Sequence, residues 1–226
     1  MITDVFEVRG DADLGTAHCC NAADLDTLLD LREKGILPSK DRFVKLEIDN
    51  FSPTDHAVLT DCVEFFSGTL LLSSTASAVL EATLQPEGYF LDCKVGASLQ
   101  YRLFVCTHEL TVLDDEKSQI EYFPTGNILR VKKFAFRKEG LSDADVFKIS
   151  RLHGSLFVTN RFVSSVEANG LRGFEFIHVW NDERGGDLFD PDQHAYEAYP
   201  GALDEIGPIK RRQMRDVISR GPPGQP

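Results

Sequence analysis

A chain of 226 residues, 42% hydrophobic and 27% charged, is long enough to bury a core without disulfide or metal staples and too apolar to stay disordered. Its formal net charge of −12 argues against binding to nucleic-acid phosphates or anionic membranes, and suits either plain solubility or a basic protein partner. The cysteines (Cys19, Cys20, Cys62, Cys93 and Cys106) number five and form no CxxC pair, which excludes a disulfide framework and points to reduced thiols in a cytoplasm.

Met1 is followed by Ile2-Thr3-Asp4-Val5-Phe6-Glu7, with neither the basic start nor the apolar run of a secretory leader, and no apolar stretch approaches a membrane span. The chain divides by charge. Residues 1–68 read as an acidic α/β segment, with 14 acidic and 6 basic residues up to Phe66. Val5–Val8 predicts a short strand. Asn21 is placed to cap a helix with Ala22, Leu25, Leu28 and Leu29 on one face and Gly35 as its stop. Phe43–Ile48 alternates as a half-buried strand does.

Residues 69–180 read as an α+β domain. Ser74 or Thr75 starts a helix with Ala76, Val79, Leu80 and Leu84 on one stripe, and Pro86 and Gly88 end it. Tyr89, Leu91, Cys93 and Val95 alternate with polar or outward residues, and Tyr101–Cys106 is the antiparallel neighbour across a turn at Gly96-Ala97-Ser98. Strands follow at Ile120–Phe123, Ile128–Phe136 and Val146–Ile149. Thr159 or Asn160 caps a helix that turns Phe162, Val163 and Val166 inward. Gly170 is the left-handed helix end, Leu171 closes that end with an apolar contact, and Gly173 leads into a strand through Trp180. Beyond it, Asn181–Glu205 carries 8 acidic residues and one basic residue. Residues 181–226 read as an acidic loop, a short basic helix around Met214 and Val217, and a disordered Pro/Gly tail. The fold class expected is α+β, a mainly antiparallel sheet with a few packed helices and two possible subdomains.

A search for chemistry returns no motif. His18-Cys19-Cys20 has no second ligand pair to complete a zinc site. The six histidines stand in no HExxH or nucleophile pattern. Asp114-Asp115-Glu116 fits a solvated turn better than a cation or acid–base site, and the acids around Asp187 lack the closing Glu of a calcium loop. Gly185-Gly186 has no phosphate-loop context. Arg130–Lys138 interleaves cations with aromatics, as single-strand nucleic-acid binders do, but in so acidic a chain it reads as a protected edge or as the counterpart of acidic segments. No catalytic residue, cofactor or metal is expected.

Taken in order, Asp114–Ser118, Glu121-Tyr122-Phe123, Arg130–Phe136, Asp145–Ile149, Leu156–Phe162 and Ala168–Phe176 resemble a family of bacterial immunity proteins found beside polymorphic toxins. The most specific block is the helix exit A-x-G-L-x-G-F-x-F, carried here by Gly170, Leu171, Gly173 and Phe176 in structural roles. The resemblance covers roughly residues 70–180, leaving the acidic first segment and the tail as places for partner specificity. It implies a protein that binds and neutralises a cognate toxin by protein–protein contact. An acidic inhibitor of a basic toxin would offer carboxylates in place of phosphates, and Asp114, Asp115, Glu116, Asp182, Glu183 and Asp187 are the candidates. The alternatives are a regulatory interaction module unrelated to toxins, or a hydrolase or transferase built from dispersed histidines and carboxylates.

Overall fold

The computed structural model describes residues 4–12, 16–34, 44–49, 60–95, 99–141, 143–152 and 154–186. The first half contains β1 (Asp4–Gly10), β2 (Thr16–Cys19), α1 (Ala22–Lys34), β3 (Val44–Asp49), β4 (Cys62–Val63), β5 (Thr69–Ser73), α2 (Ser74–Leu84), β6 (Gly88–Val95) and β7 (Leu99–Cys106). The second contains β8 (Glu109–Leu110), β9 (Gln119–Tyr122), β10 (Ile128–Lys133), β11 (Val146–Ile149), β12 (Phe157–Thr159), α3 (Asn160–Ala168) and β13 (Phe174–Asn181). The fold is α+β. Most strand pairs are antiparallel, the exceptions being β3 with β6 and β8 with β11. Among the described residues no helix is long and apolar enough to cross a membrane.

Six strands pair in the order β2-β3-β6-β7-β5-β4. A parallel bridge between Thr16 and Glu64, with Ala17 N donating to Glu64 O at 2.7 Å, joins the two outer strands. The sheet therefore curls into a closed barrel and loses its free edges. Alternate residues fill its interior: Ala17, Leu46, Val63, Leu71, Cys93 and Leu103 come one from each strand. Leu28 and Leu31 of α1 join the same cluster, so α1 plugs an end of the barrel.

A second sheet, β13-β1-β12-β11-β8, lies beside the barrel. Between them sit α2 and α3. Leu70, Leu72 and Phe104 on the outer barrel wall meet Leu80 and Leu84 of α2, Phe162 and Val166 of α3, and Val8, Val146 and Val158 of the second sheet. The opposite face of that sheet carries Val5, Phe147, Phe157, Ile177 and Val179, covered by the β9–β10 hairpin and the chain after it through Val131, Phe134 and Phe136. The second sheet is thus packed on both faces and the barrel wall is covered outside around β5, while Lys45 and Glu47 of β3 and Asp92 and Lys94 of β6 stay exposed on its outer face. That is why Thr69-Leu70-Leu71-Leu72 reads as a continuous apolar run: Leu71 enters the barrel, and its two neighbours enter the core between the sheets.

β1 lies between β12 and β13, antiparallel to both. The acidic first segment is therefore interleaved with the rest in both sheets: β1 in one, β2, β3 and β4 in the other.

The helices turn faces that differ in detail from the sequence expectation. Asn21 Oδ1 does accept Asp24 N, at 2.9 Å. However, α1 buries Asp24, Leu28 and Leu31, and leaves Leu25 exposed. Asp24 is inside because its carboxylate accepts Lys45 N at 3.1 Å, beyond the last β2 residue paired with β3. α2 starts at Ser74, one of the two expected positions, behind the N-cap Ser73, whose Oγ accepts Ala76 N at 3.1 Å; Val79 faces out. In α3, Phe162 and Val166 are buried as expected behind the N-cap Thr159. β10 ends at Lys133, short of the expected Phe136. The expected stop at Gly35, the strand start at Phe43, the turn at Gly96–Ser98 and the tail from Asp187 lie outside the described residues.

Candidate partner-binding surface

The acidic turn after β8 is built on Asp114. Its backbone N donates to Ala135 O at 2.8 Å, and its Oδ1 accepts the N–H groups of Glu116 (3.2 Å) and Lys117 (3.3 Å). Lys117 Nζ lies 3.3 Å from the same carboxylate. Partial desolvation would raise the Asp114 carboxyl, but the Lys117 ammonium and the two N–H donors outweigh it and hold it below its ordinary value. Asp115 Oδ2 takes Arg151 Nη2 at 2.6 Å. Glu116 is exposed.

Next to this turn stands the β9–β10 hairpin. Glu121 on β9 faces Arg130 on β10, and its carboxylate receives Arg130 Nε at 2.5 Å and Lys132 Nζ. These two cations, Arg130 first, hold its pKa at about 2. The tip is closed by Phe123 N donating to Asn127 O (2.8 Å) and Gly126 N to Phe123 O (2.9 Å), with Gly126 at φ +88° where only glycine sits without strain. Tyr122 and Phe123 project there, 44% and 37% exposed. Arg151 reaches the tip from the end of β11. Its guanidinium is held by Asp115, and its carbonyl accepts Ile128 N at 3.3 Å. Among the described residues it is the one non-glycine at positive φ, +73°.

A depressed carboxylate stabilises the folded state above its unfolded pKa and stops doing so as pH falls through its folded one. The Glu121 contribution is thus complete above about 4.5 and vanishes toward about 2. Wild type and Glu121→Gln are expected to differ in melting temperature at pH 6 and to converge as pH drops through that window. A difference that persists unchanged at pH 2 would remove the ion pairs as its source.

The second acidic cluster is a turn closed on Asn181. Asn181 N and O bond Gly185 O (3.1 Å) and N (2.7 Å), and Asn181 Oδ1 accepts Glu183 N at 2.9 Å and Arg184 N at 3.1 Å. Asp182 is turned inward, its side chain 7% exposed, and pairs with Lys138. Glu183 is exposed. Gly186 presses against the Phe134 backbone so closely that a Cβ would overlap it. The structure therefore brings both acidic turns to the same stretch, residues 134–138, from which the 114–118 turn takes its bonds to Ala135. Of the candidate carboxylates, Asp114, Asp115 and Asp182 are engaged within the fold, Glu116 and Glu183 face solvent, and Asp187 lies outside the described residues.

The helix exit is structural. Leu171 N donates to Val166 O at 3.1 Å and Gly170 N to Glu167 O at 3.0 Å, with Gly170 at φ +62°, the two-bond Schellman ending. Gly173 packs against Cys62 and Thr60. Phe176 is half-buried, parallel to Phe174 at 6.0 Å and edge-on to Phe162 at 6.3 Å. His178 stacks on Phe6 at 4.6 Å with Nε2 3.0 Å from Asp4 Oδ1. His108 pairs with Glu87. Burial pushes the thiols of Cys93 and Cys106 up to about 12 and about 11, the opposite of what a nucleophile needs. Among the described residues no three His, Cys, Asp or Glu side chains gather to hold a metal.

The model of the Immunity protein family (Imm11) matches residues 15–181, more than half of the chain. The chain belongs to this family. A search of curated proteins found no match. The Imm11 match begins well before residue 70, so it takes in most of the acidic segment that the sequence resemblance left out. It places the chain among immunity proteins, whose partners are toxins. Residues 15–68 thus lie inside the family match and not outside it.

Sequence reasoning missed the group formed by Tyr122, Phe123 and Arg151. The two aromatics looked like ordinary strand residues, and Arg151 had no visible partner. One signal was present: Tyr122-Phe123 stands immediately before Pro124-Thr125-Gly126, and apolar side chains at the tip of a hairpin have no strand beyond the turn to cover them.

Proposed function

We propose that this Imm11 protein binds the toxin made alongside it, in the cytoplasm, and neutralises it by covering its working surface. It does so by protein–protein contact without catalysing a reaction. The observation that carries this reading is the family match over residues 15–181. The net charge of −12 supports a basic toxin, because opposite net charges accelerate encounter and disfavour other acidic proteins.

The test is co-expression with the toxin encoded immediately upstream. Growth is expected to be restored and the two chains to co-purify, with an association rate that falls as salt is raised. Rescue without a complex would sink the contact mechanism and favour an enzyme that undoes the damage. An association rate indifferent to salt would remove the electrostatic part.

A further inference from the structure

Immunity by contact requires a surface, and several of the charges that first suggest one are paired with cations of the same chain. Asp114 is held by Lys117, Asp115 by Arg151, Glu121 by Arg130 and Lys132, and Asp182 by Lys138. What these pairs leave at the free end of the β9–β10 hairpin is apolar. Tyr122 and Phe123 are adjacent, large and exposed, in a chain whose largest fully buried side chains are themselves phenylalanines.

The tip is also rigid. Phe123 is tied to Asn127 and Gly126 through the backbone, and Arg151 to Asp115 through its guanidinium and to Ile128, the cross-strand partner of Tyr122, through its carbonyl. Arg151 keeps a left-handed backbone in doing so, a conformation that persists only where its surroundings impose it. Rigid aromatics beside an arginine lose little conformational entropy on docking, and residues of these types dominate the energy of protein interfaces. Beside them, Glu116 is exposed, next in sequence to the Asp115 that grips Arg151.

We propose that the Tyr122–Phe123 tip is the anchor of the toxin interface: it enters an apolar pocket on the toxin, and Glu116 meets a lysine or arginine at the rim of that pocket. This rests on the immunity reading above and deepens it by naming the surface and the chemistry of its counterpart. Charge complementarity argues for that counterpart. A basic toxin would gain little from the paired carboxylates, whereas a neutral pocket with one basic rim residue matches an apolar tip with one exposed carboxylate. The long-range field of the acidic chain then sets the association rate, and the tip sets the lifetime of the complex.

The experiment uses the full chain and the purified upstream-encoded toxin in surface-binding kinetics at low and high salt. The double variant Tyr122→Ala/Phe123→Ala is expected to raise the dissociation rate about a hundredfold at both salt concentrations, leaving the salt dependence of association unchanged. Glu116→Lys is expected to weaken binding several-fold, and Asp26→Lys, on the exposed face of α1, to leave the dissociation rate as in wild type. Circular-dichroism melts show whether each variant is folded, and Phe123→Leu, which keeps an apolar tip, should retain most of the affinity if the double variant melts early. A folded double variant that dissociates like wild type overturns the tip as the anchor while leaving the immunity reading intact. A wild-type chain that neither binds nor protects overturns the immunity reading, and this inference with it.

Discussion

Gly173→Ala is expected to destabilise the protein by about 3 kcal/mol or more, against about 1 kcal/mol for Gly170→Ala three residues earlier. Both glycines have positive φ, +86° and +62°, so the backbone term is shared. They differ in what a side chain would meet. At Gly170 nothing lies within 4 Å of an added Cβ. At Gly173 the Cβ would overlap the Cys62 carbonyl and come within 2.7 Å of Thr60 Cβ and Oγ1. Those neighbours cannot withdraw easily. Cys62 is fully buried, and its N, like that of Asp61, donates to Arg172 O (3.1 and 3.0 Å). Asp61 Oδ2 accepts Arg172 N at 3.0 Å, Thr60 Oγ1 donates to Cys62 O at 2.7 Å, and Asp11 N donates to Gly173 O at 2.9 Å. The helix exit is thus locked onto both the barrel and the stretch after β1. Urea denaturation of the two variants against wild type checks this, and equal losses would show that the close approach costs nothing beyond the shared backbone strain.

Phe157→Ala is the second large effect, about 3–5 kcal/mol. Phe157 is fully buried on β12, between β1 and β11. Its ring lies 5.7 Å from those of Phe134 and Phe147 and 6.2 Å from that of Phe136. Removing it opens a cavity under the β9–β10 hairpin, which among the described residues forms a two-stranded sheet of its own and is held to the fold partly by that aromatic cluster. Besides the lower denaturation midpoint, the amides of β9 and β10 should exchange with solvent earlier than those of β6 and β7. Tyr89→Ala, an exposed aromatic, should stay within about 0.5 kcal/mol of wild type. A Phe157→Ala protein with an unchanged midpoint would contradict the cluster's place in the core.

Features set within one helix turn or one strand were legible before the structure. The Gly170 ending needs only Val166, Glu167 and Leu171, all within five residues, and the inward Phe162 and Val166 follow from helical spacing. The β6–β7 pair was legible for the same reason, two alternating strands joined by a short connection. The α1 face was not: counting apolar residues puts Leu25 inside, but the buried position goes to Asp24, whose partner Lys45 is 21 residues away. Leu25, Val79 and Tyr89 share this cause, since a residue's own spacing cannot say how far a neighbouring wall extends.

The candidate surface divides in the same way. The sequence alone determined where acidic residues cluster, where turns fall, and which family order the blocks follow. Only the tertiary structure decided that Asp114, Asp115 and Asp182 are paired with Lys117, Arg151 and Lys138, and Glu121 with Arg130 and Lys132, beside an exposed aromatic tip. Likewise, no local pattern announces the Thr16–Glu64 bridge that closes the barrel, or the seating of β1 between β12 and β13 some 150 residues away. Spacing reports on neighbours along the chain. Strand order, barrel closure and the pairing of distant charges depend on which surfaces bury the most apolar area when the whole chain collapses, and that is a property of the assembled core.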